Sequence, residues 1–341
     1  MIMAQLIYNI LYIYIMKHII LLIMIIIVTI EFIYIYIDNK PFFPIDVVYT
    51  WAGEININNK RFSYNNELKY SLRSIIKFAP WVNHIYIYMN PPKKLPSWFN
   101  NNYKKKITIL DHTDTILKNY IPNTNSNAIE TTLSEIPGLS EHFIYFNDDV
   151  FLTRPSKWRD FFSISGKPYI PKECSTAVSM IKNKNINKTN IIYPEFPNKQ
   201  FKNGWIHIPI PRLKSSVKKF QKEYSDYIEW VRNTKTRKEI GCNVCINLHC
   251  PCQQQHSLIS YYMYKNGNAL LKDYNKSNIY RYTTIKRLST NKKYLKDILN
   301  DPPKFFCVND TDDNIQKHKY SQIIKNEFYE KLYNEKPFYE K

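Results

Sequence analysis

Acidic side chains are in short supply: 29 Asp and Glu stand against 48 Lys and Arg in 341 residues, a formal charge of +19. Such an excess invites a nucleic-acid reading. The chain carries no nucleic-acid-binding signature, however, and its lysines are scattered through a sequence swollen with Ile, Asn, Lys and Tyr, as a coding bias toward A and T produces. The charge is poor support for DNA and weak support for a phosphorylated or polyanionic ligand, so no nucleic-acid partner is expected. An internal repeat is also lacking. So is a short apolar core ending in a small-x-small site, which argues against a cleaved signal peptide.

What the amino-terminal region does have is a long apolar run. Residues 6 to 37 are dominated by Ile, Leu, Tyr and Met, and Ile19 to Ile37 holds one charge in nineteen residues. That length crosses a ~30 Å hydrocarbon layer. The expected organisation is a cytosolic segment (1–18), a transmembrane helix (19–37) and a catalytic body (41–341). Lys17 lies on the amino side, whereas Glu31, Asp38, Asp46 and Glu54 outnumber Lys40 and Lys60 on the other. This slight bias favours a single-pass membrane protein with its body on the lumenal or extracytoplasmic side. Asn187-Lys-Thr, Asn275-Lys-Ser and Asn309-Asp-Thr could then be glycosylated, although three sequons are near chance in so Asn-rich a chain.

The body reads as α/β. Ile45 to Thr50, Ile85 to Met89 and Ile107 to Leu110 are short apolar strands. Asn66 to Phe78 has helical spacing at Leu68, Leu72, Ile75 and Ile76, stopped by Pro80. Thr124 to Ile136 reads as a helix capped by Asn125 or Ser126, followed by a strand at Phe143 to Phe146. This alternation predicts a largely parallel sheet with flanking helices in a single catalytic domain. Trp158 to Phe162 is an aromatic cluster and residues 182 to 203 an exposed loop. Gly204 to Lys214 carries a lone His207 in an apolar strand, and Ser215 to Arg232 and Leu258 to Tyr264 are helices. Lys304 to Asp310 is a last strand, before a polar helix at Ile315 to Tyr333.

Chemistry concentrates where the strand Phe143 to Phe146 delivers Asn147, Asp148 and Asp149 to its carboxyl end, with the apolar run Val150 to Leu152 behind. Ligands of open α/β sheets collect at that end. Two adjacent carboxylates between apolar runs are costly unless a cation sits on them. A divalent ion carrying substrate phosphate answers that need; a solvated Asn-Asp-Asp turn is the alternative. Four cysteines, Cys242, Cys245, Cys250 and Cys252, fall within eleven residues. They suit a structural zinc or, in an oxidising lumen, two disulfides.

Several blocks together resemble the Stealth family: Ile45-Asp-Val-Val-Tyr-Thr-Trp51, Asn66-Glu-Leu-Lys-Tyr-Ser-Leu-Arg-Ser-Ile75 with Pro80-Trp81, Asn125-Ser-Asn-Ala-Ile-Glu130, and Ile136 through Phe151. His207-Ile-Pro209 and Phe306-Cys-Val-Asn-Asp310 resemble its closing blocks, so the likeness spans roughly residues 45 to 335. The family contains capsule-polysaccharide sugar-1-phosphate transferases and an N-acetylglucosamine-1-phosphotransferase acting on lysosomal enzymes. The resemblance implies transfer of a sugar-1-phosphate from a nucleotide-sugar, with UDP-HexNAc as the expected donor, to a polysaccharide or glycoprotein glycan, releasing nucleoside monophosphate. It also implies a divalent cation, Mg²⁺ or Mn²⁺.

Carried over by position, Asp46, Asp148, Asp149 and Asp310 are acidic positions of the donor and metal site, with Asp148 and Asp149 as the metal pair. His207 matches the catalytic histidine, and Asp46 and Asp310 join it. Glu67, Arg73, Ser126 and Glu130 match further positions. Trp51, Arg73, Asn147 and Ser126 are the expected donor contacts. Arg73 could clamp a phosphate or pair with Glu67 or Glu130, and Trp51 could stack on the base or be core. Imidazole titrates near neutrality and suits removal of the acceptor proton. Three departures stand out. Trp51-Ala-Gly-Glu54 replaces the family's Trp-Val-Asp/Asn-Gly, Asn127 replaces a frequent histidine, and Leu248 to Gln255 sets His249 and glutamines where an Arg and an acid belong. A metal-dependent glycosyltransferase and a catalytically silent glycan-binding or surface protein are the competing expectations.

Overall fold

The computed structural model describes residues 1–53, 66–100, 106–171, 207–236, 255–274, 278–309 and 324–341. It separates into two compact units, Met1–Phe42 and Phe43–Lys341. The first is built on α1 (Ile2–Asn39), which no Pro or Gly interrupts. Where the sequence suggested a span beginning at Ile19, the helix continues through Lys17 and His18 without a break. At ~1.5 Å per residue it is about 57 Å long. Its stretch Ile2–Phe32 is apolar enough to cross a membrane and is wholly unburied.

The second unit begins with β1 (Ile45–Trp51), α2 (Glu67–Phe78), β2 (Ile85–Met89), β3 (Ile107–Asp111) and α3 (Ser126–Glu130). Next come β4 (His142–Asn147), β5 (Val150–Leu152), β6 (Tyr169–Pro171) and β7 (Ile210–Leu213). The helices α4 (Lys214–Glu223), α5 (Ser225–Asn233) and α6 (Gln255–Lys265) precede β8 (Leu270–Lys272) and β9 (Tyr280–Thr284). The described chain then forms α7 (Ile285–Thr290), α8 (Lys292–Asn300), β10 (Phe305–Asn309) and helical turns from Lys325 to Leu332.

The central sheet has the order β3-β2-β1-β4-β7. Its first four strands are parallel and β7 is antiparallel to β4. Parallel strands covered on both faces read as continuous apolar runs, and β2 is buried along its whole length. Pro209 and Pro211 explain why β7 is short and peripheral, since proline cannot donate to a ladder. A three-stranded sheet, β5-β10-β9, and a two-stranded one, β6-β8, complete the unit.

Side-chain alternation assigns the two faces. Val48, Tyr86, Tyr88, Phe143 and Tyr145 share a core with Val217, Phe220, Leu258, Ile259 and Tyr262 from α4 and α6. On the other face, the Tyr49 hydroxyl meets Ser71 of α2 at 2.8 Å. A second core gathers Tyr70, Phe151, Phe306 and Val308 with Leu288, Ile298, Phe328 and Tyr333.

Two predicted helices are shorter than their spacing suggested. The stretch from Thr124 to Ile136 breaks after Glu130, where the Thr131 and Thr132 hydroxyls bond back to the carbonyls of Ala128 and Ile129, competing with the helix ladder. Asn125 is its cap, accepting from the Asn127 amide. Ser215 to Arg232 is two helices separated at Tyr224, whose φ of −115° and ψ of 41° are not helical. The 182–203 loop, the Cys242–Cys252 cluster with its zinc or disulfides, and residues 315–323 of the expected last helix lie outside the described residues.

Arg73 is the one expected donor contact that the fold commits elsewhere. Its guanidinium forks onto Glu340, both bonds at 2.7 Å, and donates to the Tyr333 carbonyl at 2.6 Å. Lys69 adds a contact to Glu340 at 3.3 Å. Both partners of the Arg73–Glu340 pair are buried, at 8% and 0% side-chain exposure, and a charge stripped of its buried partner is strongly destabilising. Glu340→Ala is therefore expected to cost about 3–5 kcal/mol, read as a lowered denaturation midpoint of the full chain in detergent. The Arg73→Met/Glu340→Leu double variant should recover most of that loss; equal midpoints for the wild type and Glu340→Ala would contradict the assignment.

Candidate active site

The chain runs from β1 outward through β2 and β3, then returns to the other side of β1 as β4. The sheet order therefore reverses between β1 and β4, and ligands of doubly wound sheets bind outside the carboxyl ends of the strands at such a point. Asn147 ends β4 there, and Asp148 and Asp149 form the turn into β5.

Asp149 is held from β10. Its Oδ2 accepts from Asn309 Nδ2 at 3.2 Å and from the Cys307 thiol at 3.5 Å, while its carbonyl accepts the Val308 amide at 3.0 Å. The other carboxylate oxygen, Oδ1, is sealed from solvent with no hydrogen-bond partner among the described residues. Burial raises the pKa of Asp149, opposed chiefly by the nearby His207. Asp148 is pushed well up by burial, then by the charges of Asp149 and Glu67. The same burial and the same carboxylate lift the Cys307 thiol well above its usual range.

Glu67 opens α2 and is buried, following Asn66 in the left-handed conformation at φ 64°. That backbone is uncommon for a residue other than glycine, and asparagine tolerates it best. The Ser71 hydroxyl on α2 donates to the Val150 carbonyl, and Ser74 Oγ accepts the Leu152 amide at 3.1 Å. These bonds tie the helix carrying Glu67 to the strand that follows the two aspartates.

His207 reaches the same end by a different route. The antiparallel pairing of β7 with β4 sets Ile210 opposite Tyr145, so the residues before β7 run toward the carboxyl end. The His207 amide donates to the Tyr280 hydroxyl at 3.2 Å, and its ring lies 5.4 Å from that of Tyr282. Asp148, Asp149 and His207 are thus brought together with Glu67.

Trp51 ends β1 at the same edge, buried at 4% exposure. Asn147 accepts a 2.7 Å bond from the Tyr145 hydroxyl, which also meets Thr50 at 3.0 Å. Ser126 opens α3, over the Tyr145 face of the sheet, where Glu130 accepts from Tyr145 at 3.4 Å. Asp310 lies outside the described residues.

Asp46 departs from expectation. It pairs in register with Phe143, four residues before the Thr50–Asn147 pairing, and so lies roughly 13 Å along the strand from the carboxyl end. There its fully buried carboxylate accepts from Asn83 Nδ2 at 2.8 Å and the Ser140 amide at 2.7 Å. The cause is strand direction: Asp46 is the second residue of β1, and a parallel strand presents its first residues to the amino edge.

Sequence reasoning passed over Cys307 and Asn309 as individual contacts, and Tyr280 and Tyr282 altogether. Period-two alternation along Phe305 to Asn309 would have put Cys307 and Asn309 on one face. Nothing in the chain flagged the tyrosines.

The metal question turns on the donor set. Among the described residues no three His, Cys, Asp or Glu side chains converge as a complete cage. Two adjacent carboxylates, one with an unpaired buried oxygen, nevertheless fit an oxygen-seeking Mg²⁺ or Mn²⁺, which usually completes its shell with phosphate and water.

Comparison with known proteins bears on the same residues. The family description "Stealth protein CR2, conserved region 2" matches residues 61–170, from before α2 to β6. A capsular polysaccharide phosphotransferase of Neisseria meningitidis serogroup B is 30% identical over 322 residues, covering 84% of this chain and 82% of that protein. Capsular polysaccharide phosphotransferase fcs1 of Haemophilus influenzae is 30% identical over 327 residues, with 85% and 82% covered. Receptor polysaccharide phosphotransferase WefC of Streptococcus oralis is 39% identical over 169 residues, with 47% and 48% covered. The chain belongs to the Stealth family.

Losing the Asp46 charge should weaken two buried hydrogen bonds and leave the distant aspartates untouched. Asp46→Asn is expected to lower stability by about 1–3 kcal/mol while turnover per folded molecule stays that of the wild type. A large loss of turnover at full folded fraction would return Asp46 to the catalytic set.

Proposed function

We propose that this Stealth-family phosphotransferase moves a sugar-1-phosphate from a nucleotide-sugar, a UDP-N-acetylhexosamine by preference, onto a hydroxyl of an acceptor glycan. The observation that carries the reading is the buried, unpaired Asp149 Oδ1 beside Asp148 and His207 at the reversal point of the sheet. The acceptor oxygen forms a bond to the sugar-linked phosphorus, the bond from that phosphorus to the bridging oxygen breaks, and nucleoside monophosphate leaves. His207 takes the hydroxyl proton as the new bond forms and later returns it to solvent. Asp148 and Asp149 would hold a divalent cation, which when bound neutralises phosphate charge in a transfer that is mostly positioning and electrostatics. Asn309 and Cys307 fix the Asp149 carboxylate by one oxygen so that the other keeps its direction. Glu67 adds negative charge beside the pair and strengthens its demand for a cation.

Arg73 and Asp46 have no part in this mechanism, since both are consumed by buried partners elsewhere. Asn147, Trp51 and Ser126 remain the donor contacts of the proposal, and Asp310 its additional acid. The helix α1 serves as a single membrane anchor in this reading, with the catalytic unit on the lumenal or extracytoplasmic side.

The test uses the full chain in detergent with a panel of UDP- and GDP-sugars, with and without Mg²⁺ or Mn²⁺. Release of monophosphate is expected, abolished by EDTA. Asp149→Ala and His207→Ala should each lower it by about 100-fold or more, whereas Lys293→Ala on the exposed face of α8 should not change it. Release of diphosphate instead would mean an ordinary glycosyltransferase. No release from any donor would mean a glycan-binding protein that has kept the fold.

A further inference from the structure

The small sheet offers the active site a face of its own. In β9 and β10, which run parallel, Tyr280 pairs with Phe305, Tyr282 with Cys307 and Thr284 with Asn309. Alternation sends Phe306 and Val308 into the second core. It sends Phe305, Cys307 and Asn309 the opposite way, and the last two reach Asp149. Tyr280 and Tyr282, two residues apart on the neighbouring strand, share that face.

The two tyrosines are used differently. Tyr280 spends its hydroxyl on the His207 amide. Tyr282 is 41% exposed; its ring packs beside the imidazole, centroids 5.4 Å apart and planes 35° from parallel, and part of it stays open to water. Cys307, whose thiol bonds Asp149, lies across the strand pair from Tyr282. An aromatic ring packed on one side by an imidazole and still 41% exposed offers apolar area next to carboxylates. Ligand sites combine such faces with a few placed polar groups, and a ring offers a large contact area at little conformational cost. A pyranose fits: its C–H face packs on the aromatic ring while its rim of hydroxyls meets the polar groups beside it.

Which sugar sits there follows from the base. A general base must lie within about 2.6–3.2 Å of the group whose proton it takes, so the ring nearest His207 is that of the acceptor, not the nucleoside or the departing phosphate. We infer that Tyr282 is the stacking platform of the acceptor-sugar subsite, flanking His207. The inference rests on the transferase reading given above and adds to it a residue that sets acceptor affinity.

Simple glycosides serve as probes: the methyl glycosides of galactose, mannose, glucose and N-acetylglucosamine, offered at up to about 100 mM. Binding to the full chain in detergent is followed by saturation-transfer NMR without donor, and turnover by monophosphate release above the rate with water alone. At least one glycoside is expected to bind the wild type, with its signal lost in Tyr282→Ala and kept in Tyr282→Phe. In turnover, Tyr282→Ala should raise the acceptor KM by roughly tenfold, the upper end for an aromatic contact, with kcat changed by less than about threefold; the Phe variant should restore the KM. A fall in kcat at constant KM would mean that Tyr282 only positions His207, and overturns the proposal. So would equal binding by the wild type and Tyr282→Ala, or no glycoside bound by the wild type at all. Absence of monophosphate release from every donor, with glycoside binding that still depends on Tyr282, would sink the transferase reading and leave the subsite standing.

Discussion

The grip of β10 on Asp149 is the interaction on which the catalytic unit depends. Asp149 belongs to the turn between a strand of the central sheet and a strand of the small one, and Asn309, Cys307 and the Val308 amide hold it from the far side. That hold, with the β5–β10 ladder beside it, joins the two sheets at a common edge. The carboxylate thus ties the two sheets together. Its two oxygens divide the tasks, one bonded to protein and one left over.

Electrostatics explain why such a place is built for a ligand and not for stability. Asp148, Asp149 and Glu67 press on one another, and burial raises both aspartates. An apoprotein bears that repulsion as a cost. The packing of α2, through Ser71 and Ser74 onto β5, prevents the acids from moving apart. The scaffold therefore retains the repulsion, a common arrangement where charged groups are pre-organised.

Much of this was legible in the chain. Apolar runs gave the strands, and the Asn147-Asp148-Asp149 turn stood out because paired acids between apolar segments are physically unusual. His207 was singled out by resemblance, and the antiparallel register of β7 with β4 carries the residues before β7 toward the carboxyl end of the sheet. The placement of Asp46 was not legible, because a linear motif does not say which end of a strand a residue occupies; the parallel register sets it near the amino edge. The Arg73–Glu340 pair was not legible, because its partners are 267 residues apart and no local pattern reports a contact at that separation. The helix ends at Glu130 and Tyr224 were lost for a local reason: threonine hydroxyls competing for carbonyls, and one tyrosine leaving the helical region, do not disturb apolar spacing. Tyr282 carried no signal at all, since in a chain with 28 tyrosines one more exposed ring is unremarked until its neighbours are known.

The segment from Ile324 to Lys341 crosses back over early parts of the fold. Tyr333 donates to the Leu152 carbonyl, Glu340 meets Arg73, and the Lys341 amide bonds to the Trp98 carbonyl. During synthesis, then, the guanidinium of Arg73 emerges long before the carboxylate that neutralises it. Until Glu340 has been added, α2 has a charge without its buried partner. The consequence is an order of events: α2 can be made early, but its guanidinium is neutralised only after the far end of this unit has folded back onto it.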